Sequence, residues 1–349
     1  MKPVKLFSAL LFSSLPALAA AAPKVVTDIA PVHSIVARIM EGVGEPDLMV
    51  PPGVSPHDYS LRPSTAGALQ DADLVFEVGP ELFPWFADTI SSLNQDAKVV
   101  VLTAVPDMEV LEFDEEAHDH GHDDDHDHDH EEHGHEDHDH DHGHEHEEEH
   151  HDHDHEEHAE AEHDDHGHDD HGHDHGPVDP HIWLNPDNGL EIGRAVADAL
   201  SEIDPDNADA YAANLEAFTS EISDLSQEIE AKIEPVRGAG YLVFHDAYGY
   251  FEDRFGIDSA GWLSASDASK PGAGRLTEVR EMVQSGEVTC IFAEPQFDAK
   301  LVETVREGSG LRTGVLDPVG FDLEPGPELY GQLLNGIADG LAGCLADES

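Results

Sequence analysis

Three histidines outside a long acidic block are placed where a folded chain could bring them to one metal ion. His57 lies in a segment rich in proline and glycine, directly after an apolar run, and His181 lies in a segment whose prolines disfavour helix. His245 follows the apolar run Leu242–Phe244. Imidazole is a good zinc ligand, and three protein ligands leave a fourth position for a carboxylate or water. For any single histidine a surface or capping role is the simpler interpretation. Spacing alone leaves open whether these residues are metal ligands or surface residues.

Strand ends favour the metal-binding interpretation. In open α/β sheets, ligands bind outside the carboxyl ends of the strands. His57 and His245 both follow predicted strands, and Asp317 follows a further one, Gly314–Leu316. His33, at the start of the first predicted helix, is interpreted as a structural or rim-facing residue.

The elements that must position these residues alternate between strand and helix. Four short apolar runs alternate with helical patterns before residue 105, and the alternation returns after residue 240. This pattern predicts parallel sheets covered by helices on both faces. Between these regions, apolar residues from Tyr211 to Ile233 recur every three or four positions, which predicts a helix from Pro205 that is about 43 Å long. We expect an α/β fold of two lobes, each with a mostly parallel sheet flanked by helices, joined by one long rigid helix.

Specific elements follow from the same patterns. Strands are predicted at 24–27, 47–50, 74–78, 98–102, 241–244, 289–293 and 314–316; helices are predicted from about 31, at 62–70, 80–93, 186–203 and 205–233, from about 248, and at 276–283, 300–307 and 328–345.

The chain divides into four predicted parts. Residues 1–21 resemble a secretory signal peptide, with Lys2 and Lys5 before the apolar run Leu6–Leu15 and small residues after it. That run is too short to span a bilayer, so no stable membrane insertion is expected. Residues 22–204 form the N-terminal lobe, 205–234 the linking helix and 235–349 the C-terminal lobe.

Residues 114–175 form an acidic block inserted in the N-terminal lobe. The block holds 24 of the 28 histidines and 30 Asp or Glu, with no Lys or Arg. It lacks the apolar residues that offset chain entropy, so a disordered loop is predicted. The loop could collect scarce zinc for the folded site, sense excess metal, or serve only as a solvated acidic tether. Within it, His146–His150 satisfies the H-E-x-x-H pattern of zinc peptidases, a match that a repetitive His/Glu sequence produces by chance.

Charge and cysteine content restrict the partners and the compartment. The net charge is −61, and the chain without the acidic block still carries −31. Such a charge excludes nucleic acid as an expected partner and disfavours anionic membrane surfaces. It suits a protein that handles cations or one adapted to salty surroundings. Cys290 and Cys344 are the only cysteines, and an even pair in an exported protein favours a disulfide, with two separate buried thiols as the alternative.

Five motifs, in this order, resemble the zinc-specific solute-binding proteins of bacterial ABC importers, the ZnuA family. The resemblance covers essentially the whole chain after residue 21, including the acidic insert, and its motifs are Pro56–Ser64, Asp179–Pro186, Phe244–Phe251, Ala293–Phe297 and Gly314–Pro318.

The resemblance implies that His57, His181 and His245 bind Zn²⁺ in a cleft between two α/β lobes bridged by a rigid helix. Manganese-binding relatives typically carry a carboxylate at the position of His245, so the all-imidazole set favours zinc. Some family members have a Glu before the first ligand, where this chain has Pro56; the fourth ligand is then Asp317 or a water molecule, and we favour Asp317.

The resemblance also implies a Cys290–Cys344 disulfide and delivery of zinc to the membrane permease of an ABC transporter, by binding rather than catalysis. The signal peptide predicts a periplasmic location, and we expect a monomer. The competing functions are a zinc hydrolase, a periplasmic zinc buffer, and an importer component for nickel, copper or manganese.

Overall fold

Two parallel sheets organise the structure, a computed structural model that describes residues 21–113, 178–264, 271–297 and 300–346. The first sheet contains β1 (Val25–Thr27), β2 (Asp47–Leu48), β3 (Leu74–Glu77) and β4 (Lys98–Val101), in the order β2-β1-β3-β4. All pairings between these strands are parallel. Their carboxyl ends therefore lie along one edge, which the residues after β1, β2 and β3 share.

The second described sheet contains β5 (Gly240–His245), β6 (Gly261–Ser264), β7 (Val288–Ala293) and β8 (Arg312–Val315), in the order β6-β5-β7-β8 and again parallel. Alternate residues of β5 enter different cores. Tyr241 and Val243 join the large core, whereas Leu242 and Phe244 join a smaller one. Helices on both faces explain why this strand is a continuous apolar run.

Helices cover the sheets and connect them. The described helices are α1 (Ala30–Ile39), α2 (Pro63–Asp71), α3 (Phe86–Leu93), α4 (Pro186–Ile203), α5 (Ala208–Ile233), α6 (Gly249–Phe255), α7 (Ala273–Ser285), α8 (Lys300–Arg306) and α9 (Leu329–Leu345). We call the first sheet with α1–α4 the N-terminal lobe and the second sheet with α6–α9 the C-terminal lobe. One apolar core runs through both lobes and includes the buried side of α5. The predicted two-lobe α/β fold is therefore confirmed.

Several predicted boundaries were wrong for identifiable reasons. α3 begins at Phe86 instead of residue 80, because Pro84 would remove a hydrogen-bond donor inside the helix and clash with the preceding turn. The long helix begins at Ala208, after a 3-10 turn at Pro205–Asn207. β6 was not predicted, because its four residues lack a clear alternation of apolar and polar side chains.

The predicted disulfide, the expected absence of a membrane-spanning helix and the two low-complexity or signal-like segments have different outcomes. Cys290 and Cys344 form a disulfide, with Cα atoms 6.2 Å apart, so this pairing is confirmed. No helix among the described residues has both the length and the apolar composition needed to cross a bilayer. The signal peptide at 1–21 lies, apart from Ala21, outside the described residues, as do the acidic block 114–175 and its H-E-x-x-H match.

Candidate metal centre

His57 is carried by the turn that follows β2. Gly53 has φ of 75°, in the left-handed region that glycine adopts without strain, and it reverses the chain after two prolines. The backbone N–H of His57 donates a hydrogen bond to Ser55 Oγ at 3.2 Å. The side chain is half-buried at the carboxyl edge of the first sheet.

His181 precedes a 3-10 turn, Ile182–Leu184, and is 3% exposed. Its neighbour Asp179 fixes both the backbone and the ring. Asp179 Oδ1 accepts from His181 N at 2.9 Å and lies 2.7 Å from His181 Nδ1. A carboxylate can only accept from the ring, so Nδ1 carries the proton and the lone pair of Nε2 is presented on the opposite side.

His245 is the last residue of β5 and is 2% exposed. Glu294 follows β7, the strand beside β5, so parallel pairing brings the two residues together. Glu294 Oε1 and Oε2 lie 2.7 and 2.8 Å from His245 Nδ1. The same reasoning protonates Nδ1 and leaves Nε2 as the acceptor, and Gln296 Nε2 donates to Glu294 Oε2 at 2.6 Å.

The three histidines converge. Each offers one ring nitrogen, and these nitrogens all lie within 4.8 Å of one another. The Nε2 atoms of His181 and His245 are 3.4 Å apart. Zinc–nitrogen bonds of about 2.0–2.1 Å at tetrahedral angles separate two ligand nitrogens by about 3.3–3.4 Å. Two of the three nitrogens are therefore at the separation that a shared tetrahedral zinc ion requires.

Comparison with known proteins identifies the chain's relatives. The family model of ZnuA, described as zinc-uptake complex component A, periplasmic, matches residues 25–344. The chain belongs to the ZnuA family. The high-affinity zinc uptake system protein ZnuA of Brucella suis is 44% identical over 326 residues, which cover 92% of this chain and 91% of that protein. ZnuA of Yersinia pestis is 34% identical over 345 residues, covering 99% and 98% of the two chains.

Solved structures agree on the fold. A crystal structure of ZnuA superposes with a TM-score of 0.68 at 21% identity and covers 93% of this chain and 100% of that one. A ZnuA deletion mutant with zinc bound gives the same TM-score and identity, with 94% and 100% coverage. At such identities the likeness supports the ZnuA fold alone.

Asp317 and His33 lie outside the group of three histidines. Among the described residues, the group that could hold a metal ion contains His57, His181 and His245 and not Asp317. Asp317 Oδ1 accepts from the backbone N–H groups of Val319 and Gly320 at 3.2 and 2.8 Å, which shapes the turn after β8. A role for Asp317 as fourth ligand stays a prediction. His33 packs its Nε2 3.1 Å from the carbonyl oxygen of Pro46, which fits its structural interpretation.

The buried side chain of Tyr248 lies beside the ring of His245. The Tyr248 ring is 3% exposed, and its centroid lies 6.3 Å from that of His245. Burial raises the pKa of the Tyr248 hydroxyl well above its usual value, and the nearby carboxylates of Glu294 and Asp317 raise it further.

Asp179 and Glu294 were not predicted from the sequence as functional residues, although both lie in the ZnuA motifs. A signal existed for each. Asp179 precedes His181 by two residues across a proline, a spacing at which a carboxylate can reach back to the ring. Glu294 follows a strand, like His245, and metal-bound histidines almost always donate their second N–H to an oxygen acceptor.

Proposed function

We propose that this protein is the zinc-binding component of an ABC importer, that it binds Zn²⁺ through His57, His181 and His245, and that it delivers the ion to the membrane permease. The observation that carries the proposal is the convergence of three imidazole nitrogens within 4.8 Å of one another, two of them 3.4 Å apart. The names of its ZnuA relatives, which describe zinc uptake, support the same cargo.

The chemistry of the donor set favours zinc. Three neutral imidazoles suit Zn²⁺, whereas Mn²⁺ prefers oxygen ligands. Asp179 and Glu294 orient two of the rings and increase their basicity, as carboxylate partners of zinc-bound histidines do. The fourth position is assigned to Asp317 or to a water molecule.

We further propose that the protein acts in the periplasm as a monomer. Its signal-like N-terminus and the periplasmic description of the ZnuA family support export. The family consists of transport components, so zinc is cargo here and no catalytic step is involved. The folded two-lobe site also distinguishes this proposal from a simple zinc buffer, for which the acidic block alone would suffice.

Zinc titration of the purified mature protein tests the proposal. A competing chelator should keep weak sites empty, so that only a tight site fills. Replacing His181 or His245 with Ala should weaken tight binding by more than the roughly 100-fold that loss of an outer partner can cost. His33→Ala is the matched control, because His33 lies outside the ligand group, and it should bind as wild type does.

The same titration distinguishes the alternatives. Asp317→Ala should weaken binding if Asp317 is the fourth ligand and leave it unchanged if water is. Competition with Mn²⁺, Ni²⁺ and Cu²⁺ tests the choice of metal. Tight zinc binding that survives in both His181→Ala and His245→Ala would contradict the proposed site.

A further inference from the structure

The two chain segments that flank the acidic block meet beside the metal centre. Glu112 and Val178 form an isolated antiparallel bridge, and the N–H of Asp179 donates to the carbonyl oxygen of Leu111 at 2.9 Å. Asp179 is the residue whose carboxylate holds the ring of His181. The pairing of the two flanking segments therefore includes Asp179, which orients the candidate ligand His181.

A tyrosine from the C-terminal lobe binds both segments. Tyr250, on α6, is 1% exposed. Its hydroxyl donates to the carbonyl oxygen of Asp179 at 2.8 Å and accepts from the N–H of Leu111 at 2.9 Å. Tyr250 also follows His245 by five residues, so one short stretch of chain supplies a ligand and this double hydrogen bond.

The start of α6 also lies close to Asp179. Gly249 opens α6, and a Cβ atom built on it would lie 3.6 Å from Asp179 Oδ2 and 3.8 Å from Leu111 Cδ1. The start of α6 thus lies next to the carboxylate that orients His181, and a side chain added at this position would contact it. The backbone of Asp179 is held from the opposite lobe by Tyr250.

We propose that Tyr250 is a positioning residue for zinc, which holds His181 in its metal-binding orientation through Asp179 and so makes retention of the ion depend on the contact between the lobes. The proposal rests on the proposed function. It assigns Tyr250 no contact with the metal. Its effect passes through the backbone of Asp179, then through the carboxylate, to the imidazole.

The decisive variant is Tyr250→Phe, which keeps the buried ring and removes the hydroxyl. Tyr241→Phe is the matched control: Tyr241 is also 1% exposed, but its hydroxyl binds Glu252 within the C-terminal lobe, at 2.6 Å. Both variants lose one buried hydroxyl, so a general loss of stability affects both. Only Tyr250→Phe loosens Asp179.

Four measurements on the full mature chain separate positioning from stability. Zinc affinity by chelator competition and the zinc dissociation rate should each change about tenfold in Tyr250→Phe, the lower end of the range for an outer partner, and by less than twofold in Tyr241→Phe. The visible absorption of the Co²⁺-substituted protein should shift only in Tyr250→Phe, because it reports ligand geometry. Urea unfolding of the metal-free proteins records the stability loss of each variant.

Gly249→Val provides a second perturbation at the same contact, in case Tyr250→Phe does not fold. Its extra methyl groups press on Asp179, whereas Gly249→Ala fits at ordinary van der Waals distance. The valine variant should weaken zinc binding and the alanine variant should not.

Unchanged zinc dissociation in Tyr250→Phe, or an equal change in Tyr241→Phe, would overturn the role of Tyr250 while leaving the zinc site intact. Equal zinc binding in Gly249→Val and Gly249→Ala would likewise overturn the role of this contact between the lobes. A wild-type protein with no tight zinc site would instead overturn the proposed function, and this inference with it.

Discussion

Replacing Glu294 with Gln tests how much the buried carboxylate contributes to zinc binding. Glu294 is 2% exposed, and its two oxygens lie 2.7 and 2.8 Å from His245 Nδ1. Glutamine keeps the shape and one acceptor oxygen but removes the negative charge. The substitution therefore changes the strength of the hydrogen bond to the ring more than its geometry.

The expected loss follows from the two kinds of hydrogen bond. A bond to a charged group contributes about 1.5–3 kcal/mol, and a neutral bond about 0.5–1.5 kcal/mol. The difference of about 1–1.5 kcal/mol corresponds to roughly a tenfold loss of zinc affinity. Glu294→Ala removes the acceptor altogether and leaves a buried N–H without its partner, so its loss should approach about 100-fold.

Chelator competition at one fixed pH measures these affinities. Glu252→Gln is the control, because Glu252 accepts from the hydroxyls of Tyr241 and Ser259 and contacts none of the three histidines in the described hydrogen bonds. A zinc affinity of Glu294→Gln within twofold of wild type would contradict this role of the carboxylate charge. An equal loss of zinc affinity in Glu252→Gln would contradict it as well.

Two further predictions concern stability. Burial, with repulsion from Asp28 and Glu81, raises the pKa of Glu77 to about 8. The folded state then binds this proton more tightly than the unfolded chain, so Glu77 lowers the free energy of unfolding as pH rises from about 4.5 to 8, by at most about 1.4 kcal/mol per pH unit. The free energy of unfolding, measured with urea between pH 5.5 and 8.5, should decline less steeply with pH for Glu77→Gln than for wild type. An equal decline in both proteins would contradict the raised pKa of Glu77. A Cβ on Gly189 would lie 2.2 Å from the hydroxyl oxygen of buried Tyr330, so Gly189→Ala should cost about 1–3 kcal/mol in the same assay, and a variant as stable as wild type would show that this contact yields.

Much of the fold could be predicted because both sheets are covered on both faces. Strands such as β3 and β5 are then nearly continuous apolar runs, which stand out from the sequence. The long helix was equally clear, since its buried residues Phe218, Ile222 and Ile229 recur at helical spacing. Short elements with weak patterns, such as β6, gave no comparable signal.

The three candidate metal ligands were predicted through motifs, whereas the carboxylates that orient two of them depend on how the chain folds. β7 lies beside β5 although β6 comes between them in the sequence. Nothing in local spacing reveals that order, so the contact of Glu294 with His245 could not be derived from either segment alone. The same distinction separates Asp179 from Tyr250. Asp179 lies two residues from His181 in the sequence, whereas Tyr250 contacts Asp179 from the other lobe and from 71 residues away in the sequence.

The contacts between the lobes also limit how zinc can enter and leave. Trp183 Nε1 donates to the carbonyl oxygen of Pro318 at 2.7 Å, and the Tyr330 hydroxyl donates to the carbonyl oxygen of Trp183 at 2.8 Å; both side chains are buried in the core that the lobes share. A wide hinge opening would break these buried hydrogen bonds and expose apolar surface, both of which are costly. We therefore expect zinc to enter and leave through small displacements of the lobes or of a turn. His57 is the candidate ligand best placed to move, because it is half-buried and carried by a turn, whereas His181 and His245 are buried and oriented by carboxylates.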